Sequence, residues 1–212
     1  MSKGKFITFE GLDGSGKSTQ LEIAKKWLED KGFATLKSRE PGGTKIGNEI
    51  RKILLHPNHV ELKPECELLL YLSDRIQNLH ESILPAKADG KIVLCDRSHD
   101  STVAYQGFGR GINLEVFDSI VKRYINPYSP DFTILLTISP EVVFKRLKKR
   151  KENFQTDRLD RESLSFFEKV SDGFKTIASS EKERIFCIDG EQDIENIHKE
   201  IITILRQKLQ IK

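Results

Sequence analysis

Apolar residues along this chain recur in two rhythms. Short runs rich in β-branched and aromatic residues fall at 6–9, 34–37, 92–95, 133–138 and 185–188, which predicts strands. Between them, apolar positions spaced three and four apart predict helices over 17–30, 45–55, 65–86, 114–124, 141–149, 161–179 and 193–210. In the first of these, Leu21, Ala24, Trp27 and Leu28 share one face, with Lys and Glu between them. Strands alternating with helices imply right-handed crossovers onto a parallel sheet. The runs Ile92-Val93-Leu94-Cys95 and Ile134-Leu135-Leu136 are apolar throughout, as expected of strands covered on both faces. The expected fold is therefore α/β, a five-stranded parallel sheet with helices on both faces. No repeat or Pro/Gly-rich linker divides residues 1–212, so one domain is expected. Ligands on such sheets collect at the carboxyl ends of the strands, where loops 11–17, 39–43 and 96–100 would lie.

Composition narrows the function classes. The chain has 212 residues, with 35 basic and 32 acidic side chains for a net charge of +3. Charge this mixed argues against a nucleic-acid partner, the one long basic run being 145–151. No apolar run approaches the length of a bilayer span, and the N-terminus has no apolar leader, so a cytoplasmic protein without a membrane partner is expected. Cys66, Cys95 and Cys187 are odd in number and show no paired spacing, which disfavours disulfides and zinc. The five histidines likewise lack ligand spacing.

Residues 11–18, Gly-Leu-Asp-Gly-Ser-Gly-Lys-Ser, satisfy the phosphate-loop pattern G-x-x-x-x-G-K-[ST] without a mismatch. Glycines at 11, 14 and 16 let backbone N–H groups approach phosphate oxygens that a Cβ would hold off. Lys17 supplies a charge for the β- and γ-phosphates, and Ser18 a hydroxyl for Mg²⁺. A predicted strand precedes the loop and a predicted helix follows it, so the helix N-terminus faces the anion. Gly11, Leu12, Asp13, Gly14, Ser15, Gly16, Lys17, Ser18 and Thr19 are thus expected to bind ATP.

A phosphate loop does not by itself separate a kinase from a GTPase or a motor. The strand 92–96 ends in Asp96, placed to hold a Mg²⁺ water, and Arg97 follows directly, able to grip a phosphate with two nitrogens. The same pair would also read as a strand-end ion pair. The GTPase base-reading signature N-K-x-D is absent.

Several motifs in collinear order then resemble one family. Gly11–Thr19, Arg39-Glu-Pro-Gly-Gly43, Asp96-Arg97, Asp100-Ser-Thr-Val-Ala-Tyr-Gln-Gly107 and Gly109-Arg110-Gly111 are similar to the thymidylate kinases. Pro130-Asp131, Asp157-Arg158-Leu159-Asp160 and Phe166-Phe167 extend the likeness over essentially the whole chain. The resemblance implies the P-loop fold of the nucleoside monophosphate kinases, and phosphorylation of dTMP to dTDP by Mg·ATP in deoxythymidine triphosphate synthesis. It also implies a homodimer, with the apolar helices around 68–72 and 114–125 as candidate faces.

Site residues follow by position. Tyr71 stands where relatives stack an aromatic, often Phe, on thymine; taken alone, within Leu68-Leu69-Leu70-Tyr71-Leu72, it reads as core. Arg75, one helical turn on, resembles a base-contacting arginine, although alone it reads as a surface residue. Gln106 resembles the residue on the N3/O4 edge of the base, and Thr102 a smaller contact in the same segment. Asp13 resembles a carboxylate on the sugar 3′-hydroxyl, and Arg51 and Arg97 resemble arginines on the acceptor phosphate. Segment 148–160 corresponds to a lid over ATP, whereas by composition its basic start is a solvated helix end or an RNA-binding patch. Because Gly14 replaces the phosphate-loop arginine of some relatives, the lid must supply a guanidinium. The expected catalytic set is Lys17, Arg97, Arg158 and Arg150, with Arg146 a weaker candidate; the alternative role for one of these lid arginines is to stack on adenine. Ser18 and, through water, Asp96 are the expected Mg²⁺ ligands. A kinase for another nucleoside monophosphate, a deoxynucleoside kinase, or a nucleotide-dependent binding protein would share the phosphate loop but not the whole acceptor set.

Overall fold

The computed structural model describes residues 4–113, 115, 118–151 and 157–211, without the side chains of 118 and 148–151. Five strands form one parallel sheet: β1 (Lys5–Gly11), β2 (Thr35–Arg39), β3 (Ile92–Asp96), β4 (Phe132–Thr137) and β5 (Ile185–Asp189). Their order is β2-β3-β1-β4-β5, with Phe9 opposite Asp96 on one side of β1 and opposite Ile134 on the other. The connections reverse direction across β1, so a crevice opens at the carboxyl ends of β1 and β3.

The helices are α1 (Lys17–Asp30), α2 (Lys45–Leu55), α3 (Pro64–Asn78), α4 (Leu84–Ala88), α5 (His99–Thr102), α6 (Asp118–Tyr124), α7 (Pro140–Lys151), α8 (Leu164–Ser180) and α9 (Ile194–Leu209). Their termini follow local chemistry. Thr44, Ser163 and Asp193 accept backbone N–H bonds as caps of α2, α8 and α9, and Pro64 occupies the first turn of α3. On one sheet face α1 and α9 cover Ile7, Phe9, Ile134 and Leu136; on the other α8 brings Phe166, Phe167 and Phe174 over Leu135. Both faces of the central strands are covered, as their unbroken apolar runs require.

Two expectations differ from what is observed. The helix expected over 65–86 is broken by a π-helical turn, Leu79–Ile83, before α4. Pro85 has no N–H to continue the α-helical ladder, and the wider turn ahead of it absorbs the mismatch. The segment after β3, expected as loop, is instead α5 running into a π-helix, Val103–Gly109. Three glycines at 107–111 disguise its periodicity, yet Gly109 is needed because a Cβ there would lie 2.7 Å from the Phe166 ring of α8. Of the helix expected over 114–124, residues 114, 116 and 117 lie outside the described residues, and α6 covers the rest from Asp118.

Candidate active site

The crevice is floored by the phosphate loop. Gly11, Gly14 and Gly16 have φ of 136°, 77° and 91°. A side chain at Gly11 would meet the Leu136 carbonyl at 2.4 Å, so position 11 is closed to other residues by space as well as by torsion. Lys17 opens α1 and is buried, its Nζ 3.4 Å from the Leu12 carbonyl and 3.9 Å from Asp13. Burial first, and then Arg97, lowers its pKa. Ser18 Oγ donates to Asp96 Oδ2, so the two groups expected to serve a metal are in direct contact. Leu12 and Ser15 lie buried in the loop, and Thr19 lies exposed in the first turn of α1.

Arg97 turns the chain immediately after β3 with φ of 72°, unusual for a side chain this size. The turn is held by its guanidinium. Nη2 donates to Asp13 Oδ1 at 2.7 Å and to the Tyr105 hydroxyl at 3.2 Å, and Nη1 donates to the Gly11 carbonyl and Ser101 Oγ. Tyr105 in turn donates to Asp13 Oδ2 at 2.9 Å. Burial alone would push Asp13 up, but Arg97, Lys17 and the Tyr105 hydroxyl hold it well below the usual carboxylate range. Asp13 thereby ties the phosphate loop to Arg97.

A cavity of about 230 Å³ lies beside this pair, lined by Lys17, Arg39, Arg51, Arg97 and Tyr71 and by the carboxylates Asp13, Glu40, Asp96 and Asp157. Arg51 Nη1 donates to the Pro41 carbonyl at 2.8 Å. Burial first, and then neighbouring Arg39, lowers the Arg51 pKa, against the opposing pull of Tyr71, Asp157 and Asp96. A second, narrower cavity is lined by Tyr71, Arg75, Thr102, Gln106, Arg97 and Leu159, and the two share Glu40, Tyr71, Arg97 and Leu159 as walls. All expected acceptor residues except Asp13 and Arg51 line this second cavity, and those two line the first.

Helix α3 builds that wall. Glu67, Tyr71, Asp74, Arg75 and Asn78 recur three and four apart and are all buried. Arg75, 1% exposed, is no surface residue: Nε donates to Glu40 at 2.7 Å and Nη1 to Thr102 at 2.9 Å. Gln106 Nε2 donates to Glu67 Oε1 at 2.7 Å. The Tyr71 hydroxyl is held protonated, its pKa pushed up by burial and by Glu67.

The lid arginines divide. Arg146, the weaker candidate, donates from α7 to the Gly14 carbonyl at 2.7 Å and so already touches the phosphate loop. Arg158 is instead buried, donating to Glu67 Oε2 at 2.5 Å and to the Leu54 carbonyl at 3.0 Å, and lines neither cavity. The structure does not bring it to the phosphate loop. The Arg150 side chain and residues 152–156 of the expected lid lie outside the described residues. Sequence reasoning gave no role to Glu67, Tyr105 or Arg39. Arg39 and Tyr105 carried a signal as members of the R-E-P-G-G and A-Y-Q-G motifs, and Glu67 as an acid one helical turn before Tyr71.

A model of the thymidylate kinase family matches residues 9–201. A thymidylate kinase of an Exiguobacterium species is 43% identical over 207 residues, covering 98% of this chain and 96% of that protein. One from a Thermoanaerobacter species is 43% identical and is covered in full. The crystal structure of a thymidylate kinase from Ehrlichia chaffeensis superposes with a TM-score of 0.75 at 32% identity, covering 96% of this chain and 98% of that one. With the phosphate loop, the D-R turn and the α3 wall in place, this chain belongs to the thymidylate kinase family.

Proposed function

We propose that this protein transfers the γ-phosphoryl group of ATP to the 5′-phosphate of dTMP, releasing dTDP and ADP. The observation that carries the reading is the cavity where Lys17, Arg39, Arg51 and Arg97 converge beside the phosphate loop and share walls with the Tyr71–Arg75–Gln106 cavity. Family membership and the names of the relatives support the same reaction.

An acceptor phosphomonoester has a second pKa of about 6 and is largely dianionic at neutral pH, so it needs no general base. One of its oxygens forms the new P–O bond while the bond between the β,γ-bridging oxygen and the γ-phosphorus of ATP breaks. What the reaction requires is relief of repulsion between two polyanions. Lys17 on the donor side and Arg51 and Arg97 on the acceptor side supply it. Asp96 then serves as partner of Ser18 rather than as a base. Ser18 and Asp96 fit a Mg²⁺ ion, being oxygen donors already in contact at the mouth of the loop, and when bound the ion would neutralise phosphate charge. Among lid arginines, Arg146 reaches the phosphate loop directly, whereas Arg158 would have to leave Glu67 to act on the transferring group.

Tyr71 supplies a face for the base, and Arg75 and Gln106 supply a donor and an amide for its edge. The protein is read as a cytoplasmic homodimer without a nucleic-acid partner. Among the described residues no helix is long and apolar enough to cross a membrane. Ile46, Ile53 and Leu69, exposed on α2 and α3, support a second copy covering that face. A coupled ADP-release assay with Mg·ATP and dTMP, dUMP, dCMP and dGMP tests the function. The expected result is turnover fastest on dTMP, and fast turnover on a purine monophosphate with none on dTMP would overturn it.

A further inference from the structure

We propose that Glu67 is a positioning residue that fixes which end of the Gln106 amide faces the acceptor base, and so sets the hydrogen-bond polarity the site reads. The assignment rests on the reading of the acceptor as a pyrimidine monophosphate.

Glu67 is wholly buried, one turn before Tyr71 on α3, and lies in the first turn of that helix, where the dipole favours an anion. Oε1 accepts from Gln106 Nε2 at 2.7 Å and Arg110 Nε at 3.2 Å. Oε2 accepts from Arg110 Nη2 at 3.2 Å and Arg158 Nη2 at 2.5 Å. Every partner is a donor. Burial alone would push Glu67 up, but Arg110, the Gln106 amide and Arg158 override it and keep the carboxyl ionised.

An ionised carboxylate can only accept. Turning the Gln106 amide over would set its carbonyl oxygen against Glu67 Oε1 in a buried site, an arrangement with no compensating donor. The NH₂ end is therefore held toward Glu67, and the carbonyl end is left for the cavity that Gln106 shares with Arg75. Arg75 can only donate, and its orientation is fixed by Glu40 and Thr102. The resulting edge offers an acceptor beside a donor. It matches the N3–H and O4 of thymine or uracil and is inverted at both positions for the N3 and N4-amino group of cytosine. A free glutamine would serve either base by rotating, so discrimination at the N3 position resides in the carboxylate behind it, while Arg75 discriminates at the O4 position. Through Arg158, the same carboxylate also holds the segment whose Leu159 walls both cavities.

The test compares kcat/KM for dTMP, dUMP and dCMP in the wild type, Glu67→Gln and Arg110→Met, with thermal melting of each. A glutamine at 67 can present either polarity, so the Gln106 amide regains its freedom. The wild type is expected to favour dUMP over dCMP by at least ~10³-fold, with Glu67→Gln shrinking that ratio by ~10-fold or more. Arg110→Met keeps the Glu67–Gln106 bond and is expected to melt lower with the ratio unchanged. An unchanged ratio in Glu67→Gln overturns the assignment, as does an equal shrinkage in Arg110→Met. If Glu67→Gln does not fold, a wild type that treats dUMP and dCMP alike overturns it still. A wild type with no turnover on dTMP overturns the proposed function and this assignment with it, whereas the other outcomes strike Glu67 alone.

Discussion

The phosphate loop keeps its shape through backbone geometry, three glycines at positive φ within a single turn between β1 and α1. The α3 wall opposite keeps its shape through side chains drawn from four stretches of chain. Glu67 gathers Gln106, Arg110 and Arg158, and Glu40 gathers Arg75 and Asn78. The donor side is thus local and cheap to encode, while the acceptor side depends on buried charges that must all be satisfied together. A substitution of a loop side chain such as Lys17, leaving the glycines in place, should therefore injure chemistry and spare the fold. One in the wall should injure both.

The largest expected effect is on rate. Lys17→Ala is expected to lower kcat by ~10³-fold or more while leaving the melting temperature close to wild type. Steady-state kinetics and calorimetry on one preparation would check both halves, and a large drop in melting temperature would break the comparison. Next, Glu67→Ala leaves Arg110 and Arg158 without their shared anion and is expected to cost about 3–5 kcal/mol in denaturant unfolding. Loss below 1 kcal/mol would mean the wall is not held together by its charges.

A subtler effect concerns Asp74, whose Oδ1 accepts the Gly42 N–H at 2.8 Å and whose Oδ2 has no hydrogen-bond partner among the described residues. Burial first, and then Glu40, pushes its pKa up to about 7. Folding therefore favours the protonated form relative to an unfolded value of about 3.9. That contribution is complete below about pH 4 and is lost as pH rises through about 7. Asp74→Asn has no proton to lose, so its stability relative to wild type should grow between about pH 4 and 7 and level off above. Melting curves across that range check it, and a difference independent of pH would contradict it. Smallest is Arg146→Ala, which removes one exposed bond to Gly14 and is expected to raise KM for ATP by roughly 5-fold with KM for dTMP unchanged.

The same contrast explains what the sequence made legible. Strand order aside, the sheet and most helices follow from unbroken apolar runs and 3.6-residue periodicity, and α1 and α2 fall on the expected residues, 17–30 and 45–55. The phosphate loop is written in consecutive residues and reads directly. The wall does not. On α3 the stripe Glu67, Tyr71, Asp74, Arg75 and Asn78 has the pattern of a solvent-facing side, yet it is buried, with Glu67 and Arg75 held by side chains 27 to 91 residues away. Pairing at that range leaves no local mark. For the same reason Arg158 reads as a lid arginine by position, while in the fold its guanidinium lies against Glu67. The π-helix Val103–Gly109 is hidden by glycines whose purpose, close approach to α8, is visible only once the helices are packed.

The central claim is that the acceptor phosphate sits on Arg97, locked to the phosphate loop through Asp13. Calorimetric titration of wild type and Arg97→Ala with dTMP and with thymidine tests it most directly, because the two ligands differ only in the phosphate. Wild type is expected to prefer dTMP, and Arg97→Ala to lose that preference by at least ~10-fold while binding thymidine as before. An Arg97→Ala variant that keeps the wild-type preference for dTMP would contradict it.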